Sequence, residues 1–476
     1  MPEKLSVKYS LSAPKKYIRR QRHEKDPGKY RNQFQRDRDR VLYSKEFRRL
    51  SGKTQVFLSL TSDHVRNRLT HTLEVAQIAQ VTCLNLKLDI NLCEAIALAH
   101  DVGHTPFGHV GERTLNEIMN GCYRLIDQQG NFTDEDKGFK HNLQGLRVTN
   151  ELETLYENVG LNLSNFTMWG IKNHSSSTYP ECESLFKGKC YLDRNLKTCN
   201  NNGKLSTSFY NIYDNILRQK DSVNEAWSFE AKVVAFSDEI AQRHHDIEDA
   251  FFMNIIEPAE FIDITKNFFN DFLKYEDKRL LEKIANSKDD RSVFLPYVSK
   301  FIVNFFNREL IDNSIKNLNK FIDKKPIIGK NHFNEIYNEI ELSEIKNIIG
   351  YEKEFANKEK DFKEFLKEKI FSSFEVQRMD GKGRYIIRRL FKAYLTNPNQ
   401  LKDDTLGFVY RIYKGEREKR PERSPSKVSK IREAICNAEI KSDPRFQISL
   451  LRGICDHIAG MTDRYAFSEY SELFES

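Results

Sequence analysis

An all-α fold is predicted by three features of the sequence. Apolar residues recur at helical spacing, only 12 prolines occur in 476 residues, and the intervening stretches are rich in good helix formers. With 39% hydrophobic and 30% charged residues the chain reads as globular rather than disordered, and its length allows a large core. No stretch approaches a membrane span. The amino terminus, Met1-Pro2-Glu3-Lys4-Leu5-Ser6, carries charge where a secretory signal needs an apolar run, so a cytoplasmic protein without a membrane partner is expected. The eight cysteines include no Cys-x-x-Cys pair and read as reduced thiols. The tightest group, Cys182, Cys190 and Cys199, matches no common metal spacing. A net charge of +7 favours anionic ligands such as nucleotides or nucleic acid without establishing either.

Residues 1–35 form a basic arm, one that either touches phosphate backbones or docks on the body as a surface segment. Residues 36–50 combine closely mixed charges with no glycine or proline and predict one helix, whose arginines suit either phosphates or local ion pairs. Lys53 to Phe57 follows as a turn or short extended piece. From Thr70, the spacing of Val75, Ile78, Ala79, Cys83 and Leu86 predicts a helix with His71 on its buried stripe. Leu92, Ala95, Ile96 and Ala99 predict another, from whose end His100 emerges. Gly103 and Pro106 end that helix, Thr105 to Gly108 makes a tight connection, and a helix is expected over 111–119 with Glu112 in its first turn. Residues 139–160 read as helical, 175–204 as a long loop, and a further helix carries Val233, Phe236, Ile240, His244 and Ile247, with Asp238 at the edge of its buried stripe. Beyond Pro258, helices are expected over 261–286, 293–322 and 333–371, loops near Lys324-Lys325-Pro326 and Gly381-Lys382-Gly383, and a last helix around 455–466.

The chemistry concentrates between Ala99 and Glu112, where His100, Asp101, His104, His109 and Glu112 crowd a segment punctuated by glycine. Each histidine alone reads equally as a polar group satisfied at a helix end. Together they read as ligand and proton-transfer chemistry. His71, His100, Asp101 and Asp238 are the inward candidates, two imidazoles and two carboxylates from separate helices. They suit a divalent cation, magnesium or manganese first and iron or zinc as alternatives. Such an ion lowers the pKa of bound water and neutralises phosphoryl charge, and Arg68 then serves as a phosphate contact if it is not simply a surface ion pair.

The histidine in Arg68-Leu69-Thr70-His71, the His100-Asp101 doublet and the distant Asp238 resemble the HD superfamily of metal-dependent phosphohydrolases. Several blocks resemble, within it, the deoxyguanosine triphosphate triphosphohydrolase family. They are Arg36-Asp37-Arg38-Asp39-Arg40, Phe47-Arg48-Arg49-Leu50, Lys53-Thr54-Gln55-Val56-Phe57, the run His100 to Glu112, Phe139-Lys140-His141-Asn142 with Gln144, and Asp456 to Ala466. The resemblance implies an HD helical core over 36–257, an additional helical layer over 258–375 and an associated helical region over 376–476. It implies removal of intact triphosphate from a deoxynucleoside triphosphate, dGTP among them, by attack at the α-phosphorus. The metal ligands carry over to His71, His100, Asp101 and Asp238, the catalytic histidine–carboxylate pair to His109 and Glu112, and a further active-site histidine to His104. Arg68 and Lys172 carry over as phosphate contacts, and Gln55 and Asp246 as groups that hold the sugar. Gln242 stands where the family has a sugar-stacking tyrosine, and Asn173-His174 where tyrosine and proline are common. Ring-like homo-oligomers, often hexamers, and binding of single-stranded DNA or a regulatory nucleotide are implied for some members. An HD nucleotidase or phosphodiesterase of other substrate is the nearest alternative, and a nucleic-acid-binding or nucleotide-sensing scaffold is the alternative of another class.

Overall fold

The computed structural model describes residues 5–24, 30–55, 66–123, 125, 132–156, 158–179, 205–220, 222, 224–416, 420 and 424–475. Among these the chain is all-α, and the extended pairings are two isolated bridges, Thr54 with Asn67 and Arg218 with Glu225. The expectations for Val56, Phe57, Cys182, Cys190, Cys199 and most of the 175–204 loop lie outside the described residues.

The first half contains α1 (Gln33–Leu42), α2 (Lys45–Arg49), α3 (Arg68–Asn85), α4 (Ile90–Ala99), α5 (Gly108–Met119), α6 (His141–Arg147), α7 (Asn165–Asn173) and α8 (Phe229–Phe252). Side chains that cap helix starts set most of these boundaries. Asn32, Ser44, Asn67, Asp89, Ser164 and Ser228 each accept a hydrogen bond from a backbone N–H of the first turn. The helix expected over 36–50 is therefore two, because Ser44 is extended (φ −67°, ψ 156°) and caps α2. Likewise the helix expected over 139–160 ends early, with α6 passing into a π-turn over Val148–Leu152.

The second half continues with α9 (Pro258–Phe269), α10 (Tyr275–Asn286), α11 (Arg291–Lys324), α12 (Lys330–Ile336), α13 (Leu342–Ile345), α14 (Lys353–Phe371), α15 (Phe374–Thr396), α16 (Asp403–Tyr413), α17 (Pro425–Cys436), α18 (Ala438–Ser442), α19 (Pro444–Ala459) and α20 (Asp463–Phe474). The segments read as 261–286 and 333–371 are each interrupted. The last helix breaks at Gly460, after which the Thr462 hydroxyl caps α20. Gly381-Lys382-Gly383 is no loop but lies inside α15. A Cβ at Gly383 would come within 2.9 Å of Phe107, so glycine there lets α15 approach α5 closely.

Helices α3, α4 and α8 pack on one another, with α1 and α7 against α4 and α11 along α8. Phe269, Phe305, Phe306, Phe355 and Phe362 form a contiguous ring cluster that fastens α9, α11 and α14 into the second layer. A separate apolar cluster joins α5 to α15, α16, α17 and α19. The basic arm lies against the body: Val7, Leu11 and Ala13 are buried, and Arg20 pairs with buried Asp37 at 2.5 Å. The arginines of α1 are likewise engaged, Arg36 and Arg40 with Glu24 and Arg38 with Glu94. Among the described residues no helix is long and apolar enough to cross a membrane.

Candidate active site

Helices α3, α4 and α8 bring His71, His100, Asp101 and Asp238 to one point. His71 Nε2 lies 2.9 Å from Asp238 Oδ1, while His100 Nε2 lies 3.8 Å from the same oxygen and 3.5 Å from Asp101 Oδ1. His100 donates from Nδ1 to the Ala97 carbonyl at 2.6 Å, which leaves its Nε2 lone pair facing the carboxylates. That buried nitrogen has no hydrogen-bond partner. Ligand atoms of His71, His100 and Asp101 all lie within 4.8 Å of one another. Two imidazole nitrogens and two carboxylates at this spacing fit a borderline divalent cation, and the orphaned His100 nitrogen is the specific sign of it. Burial alone raises the pKa of Asp101. The neighbouring His100, His104 and Arg68 outweigh that effect and hold it well below the usual carboxylate range. Arg68 donates from Nη1 to Asp101 Oδ2 at 2.7 Å, while its Nε and Nη2 are buried without partners.

Beside this group stands a second chain of imidazoles, whose contribution the sequence did not disclose. Glu112 accepts from the His141 backbone N–H at 3.0 Å, from His141 Nδ1, and from the Tyr179 hydroxyl at 2.8 Å, with Lys140 Nζ at 3.4 Å. His141 Nε2 meets His174 Nε2 at 3.2 Å, and His174 donates from Nδ1 to the Ile171 carbonyl at 2.8 Å. The free lone pair of His174 therefore faces His141, and both nitrogens of His141 point at acceptors. Burial, reinforced by His100 and His141, takes the His174 pKa down to about 3. The His104 ring stacks on His141 at 3.9 Å and sets its Nε2 3.3 Å from Asp101. His109 is exposed, its ring 5.8 Å from that of His104, and the hydrogen bonds of Glu112 go to His141 and Tyr179 rather than to it. The signal for His141 was present in Phe139-Lys140-His141-Asn142. Its pairing with Glu112, 29 positions away, is a product of tertiary structure.

The model of the HD domain matches residues 68–174, beginning on Arg68 and ending on His174, and that of the phosphohydrolase-associated domain matches 349–423 and 433–472. A Rickettsia bellii protein named deoxyguanosinetriphosphate triphosphohydrolase-like is 32% identical over 451 residues, covering 94% of this chain and 93% of its own. A Bordetella pertussis protein of the same name is 32% identical over 461 residues, covering 96% and 94%. The chain belongs to the deoxyguanosinetriphosphate triphosphohydrolase family. With its HD domain this triphosphohydrolase-family chain stands among the metal-dependent phosphohydrolases.

In this triphosphohydrolase-family chain the carboxy-terminal helices hold the segment from His100 to Glu112 from behind. Asp463 accepts from the backbone N–H of Thr54 and of Phe107, both at 2.8 Å, and so clamps together the two loops that flank Arg68. Phe107 and Gly108 turn there with φ of 62° and 58°, which brings Gly108 against the Gln55 carbonyl. Lys53, brought down to about 8 by burial, donates to the His104 carbonyl and, at 3.0 Å, to that of Ala459.

The remaining substrate-contact candidates fall in different places. Gln55 is buried, and its Oε1 has no partner. Gln242 is half-buried one turn beyond Asp238. Asp246 sits about 80° further around α8 than Asp238. It is buried with Oδ1 unpartnered, and burial raises its pKa to about 6 against the pull of Arg243 and Lys363. The Lys172 ammonium pairs with Asp214 at 3.0 Å and Glu225 at 3.7 Å, contacts that turn it toward the 208–225 segment.

Proposed function

We propose that the chain hydrolyses deoxynucleoside triphosphates, dGTP among them, to the deoxynucleoside and inorganic triphosphate. The observation that carries this reading is the partnerless, buried His100 Nε2 aimed at Asp101 and Asp238 beside an arginine with two unused nitrogens. His71, His100, Asp101 and Asp238 would hold magnesium or manganese, which when bound supplies an activated water and charge neutralisation. Arg68, fixed by Asp101, offers Nε and Nη2 to phosphate oxygens. His104, packed flat on His141, points at the same space. His109 lies at its mouth and moves a proton, while Glu112 anchors the histidine chain behind it. Gln55, Gln242 and Asp246 are proposed for the sugar side. Lys172 serves phosphate only if it leaves Asp214.

The test is to incubate the chain with each of the four dNTPs and with GTP, singly and mixed, with Mg²⁺ or Mn²⁺, and to resolve nucleoside from tripolyphosphate. Tripolyphosphate is expected. Its absence under every condition, or release of pyrophosphate or orthophosphate instead, would sink the reading in favour of another HD nucleotidase. Retention of biological activity by His109→Ala would favour a nucleic-acid-binding or nucleotide-sensing scaffold.

A regulatory nucleotide has one structural support. A cavity of about 850 Å³ lies between α2 and α19 and reaches the back of Gly103; Lys45, Arg49, Lys402 and His457 line it together with the carboxylates Glu46, Glu153, Asp403, Asp404 and Asp456, so a nucleotide there needs its phosphates placed on the lysine and arginine side. Lys402→Glu is expected to remove any activation seen only in nucleotide mixtures while leaving single-nucleotide turnover unchanged. A homo-oligomer, a cytoplasmic location and single-stranded DNA binding are family-level expectations that complete this proposal.

A further inference from the structure

The ligand set proposed above rests on α3 and α8, and each of those helices carries a second polar residue at helical spacing from its ligand. Glu74 follows His71 by three positions on α3, and His245 follows Asp238 by seven on α8, so both lie on the faces that meet. They do more than fill the interface. His71 Nδ1 lies 3.2 Å from His245 Nδ1, and His245 Nε2 contacts Glu74 Oε2. The result is an unbroken line from Asp238 through His71 and His245 to Glu74. At its far end Arg66 bridges Glu74 and Glu248, engaging the other Glu74 oxygen; its Nη1 also lies 3.3 Å from His245 Nε2, and His244 Nδ1 lies 3.3 Å from Glu74 Oε2, yet the Glu74 carboxylate makes the closer contact with His245 Nε2.

A contact between two ring nitrogens at 3.2 Å holds one proton: two lone pairs would repel, and two N–H groups would clash. His71 points its Nε2 at Asp238, so as a ligand it uses Nε2 and carries its proton on Nδ1. His245 Nδ1 is then the acceptor. A neutral His245 with Nδ1 free carries its proton on Nε2, which faces the Glu74 carboxylate. Each tautomer fixes the next, and the carboxylate at the end selects the whole set.

We infer that Glu74 and His245 are positioning residues that lock His71 in its metal-binding tautomer and orientation, through a carboxylate–histidine–histidine relay. This inference rests on the metal-site reading above. The same neighbourhood offers a competing arrangement, because Glu74, His244 and His245 could themselves hold an ion, their ligand atoms lying within 4.8 Å of one another. The relay argues against it. His245 Nε2 is committed to carrying a proton when His71 is a ligand, and the Arg66 guanidinium already neutralises Glu74 and Glu248.

The test measures Mn²⁺ affinity and stoichiometry by calorimetry on the full chain and on His245→Asn, His245→Gln, His245→Phe and Glu74→Gln, each checked for folding by circular dichroism. The amide oxygen of Asn can replace Nδ1 as the acceptor, whereas that of Gln reaches only toward the Nε2 position. His245→Phe and His245→Gln should weaken Mn²⁺ binding by roughly 10–100-fold, Glu74→Gln by less, and His245→Asn should recover most of the loss. One Mn²⁺ per wild-type chain is expected. Equal affinity in wild type and His245→Phe, or equal weakness in the Asn, Gln and Phe variants, would overturn the relay. Two Mn²⁺ per chain, one of them lost in His245→Asn, would overturn it in favour of a second ion at Glu74, His244 and His245. His100→Ala separates the two levels of argument: undiminished binding there would remove the metal-site reading itself.

Discussion

Gly103 lies between the proposed ligand Asp101 and His104, and its α-hydrogen faces backbone on two sides. A Cβ there would come within 2.1 Å of the His141 carbonyl oxygen and 2.3 Å of the Gly145 nitrogen, both on α6. Neither backbone group can rotate away as a side chain would. Gly103→Ala should therefore cost about 1–3 kcal/mol by overpacking and displace His141 from Glu112, which urea unfolding and turnover together would register. Wild-type stability in this variant would show that α6 is not seated against the segment from His100 to Glu112. A titrating residue gives a second prediction. Glu230 is buried, accepts from the N–H groups of Ala13 and Asp89 through one oxygen, and has no partner for the other. Burial raises its pKa to about 7, above its unfolded value of about 4.3. Between these values the native state binds the proton and the unfolded state does not. Its contribution is thus complete below about pH 4 and lost as pH rises through 7, a loss on the order of 3–4 kcal/mol in all. Glu230→Gln, measured by urea unfolding from pH 5 to 8, should match wild type near pH 5 and exceed it near pH 8. Parallel profiles would contradict this. The residues of the site were legible to different degrees for a physical reason. His71, His100 and Asp101 show themselves through helical spacing and helix ends, which are local properties. The Glu112–His141–His174 chain joins three elements and has no local signature, and the direction of Lys172 depends on Asp214 and Glu225 in a segment read only as following a loop.

Helix boundaries show the same division. The long apolar stripes of α3, α4 and α11 were readable because periodicity accumulates over many residues, whereas single capping side chains such as Ser44 and Thr462 cut two expected helices in places where composition does not change. The Gly381-Lys382-Gly383 stretch was read as a loop on intrinsic propensity, and packing overrode propensity. The two glycines of α15 should accordingly respond in opposite ways. Gly381 is exposed, and a methyl group added there would meet nothing within 4 Å, so Gly381→Ala should stabilise α15 by up to about 1 kcal/mol. Gly383 is buried against Phe107 and Val110 at 2.9–3.2 Å, so Gly383→Ala should destabilise by about 1–3 kcal/mol despite the same gain in helix propensity. Denaturant midpoints of the two variants decide the point, and a shared sign would mean that α15 does not approach α5 as closely as the structure has it.

A buried ion pair ties α6, which carries His141, to α19 of the second apolar cluster. Arg147 of α6, fully buried, donates from Nε and Nη2 to Asp456 of α19 at 2.7–3.0 Å and from Nη1 to Glu151 at 2.7 Å, while Gln144 donates to the same aspartate at 2.9 Å. Removing Asp456 strips Arg147 of its bidentate partner and leaves Glu151 to balance the buried charge, which costs about 3 kcal/mol, the low end for breaking a buried pair. Asp456→Ala should lose that much stability. Its effect on function should be selective, because the proposed ligands His71, His100, Asp101 and Asp238 stand on or beside α3, α4 and α8, whereas Asp456 steadies α6 and with it His141. Turnover should fall while Mn²⁺ affinity stays within about twofold of wild type, the folded fraction being kept complete by working well below the melting temperature. Loss of both together would mean that the two clusters form one inseparable support. Loss of metal binding with turnover per bound ion unchanged would place Asp456 behind the ligands rather than behind the histidine chain.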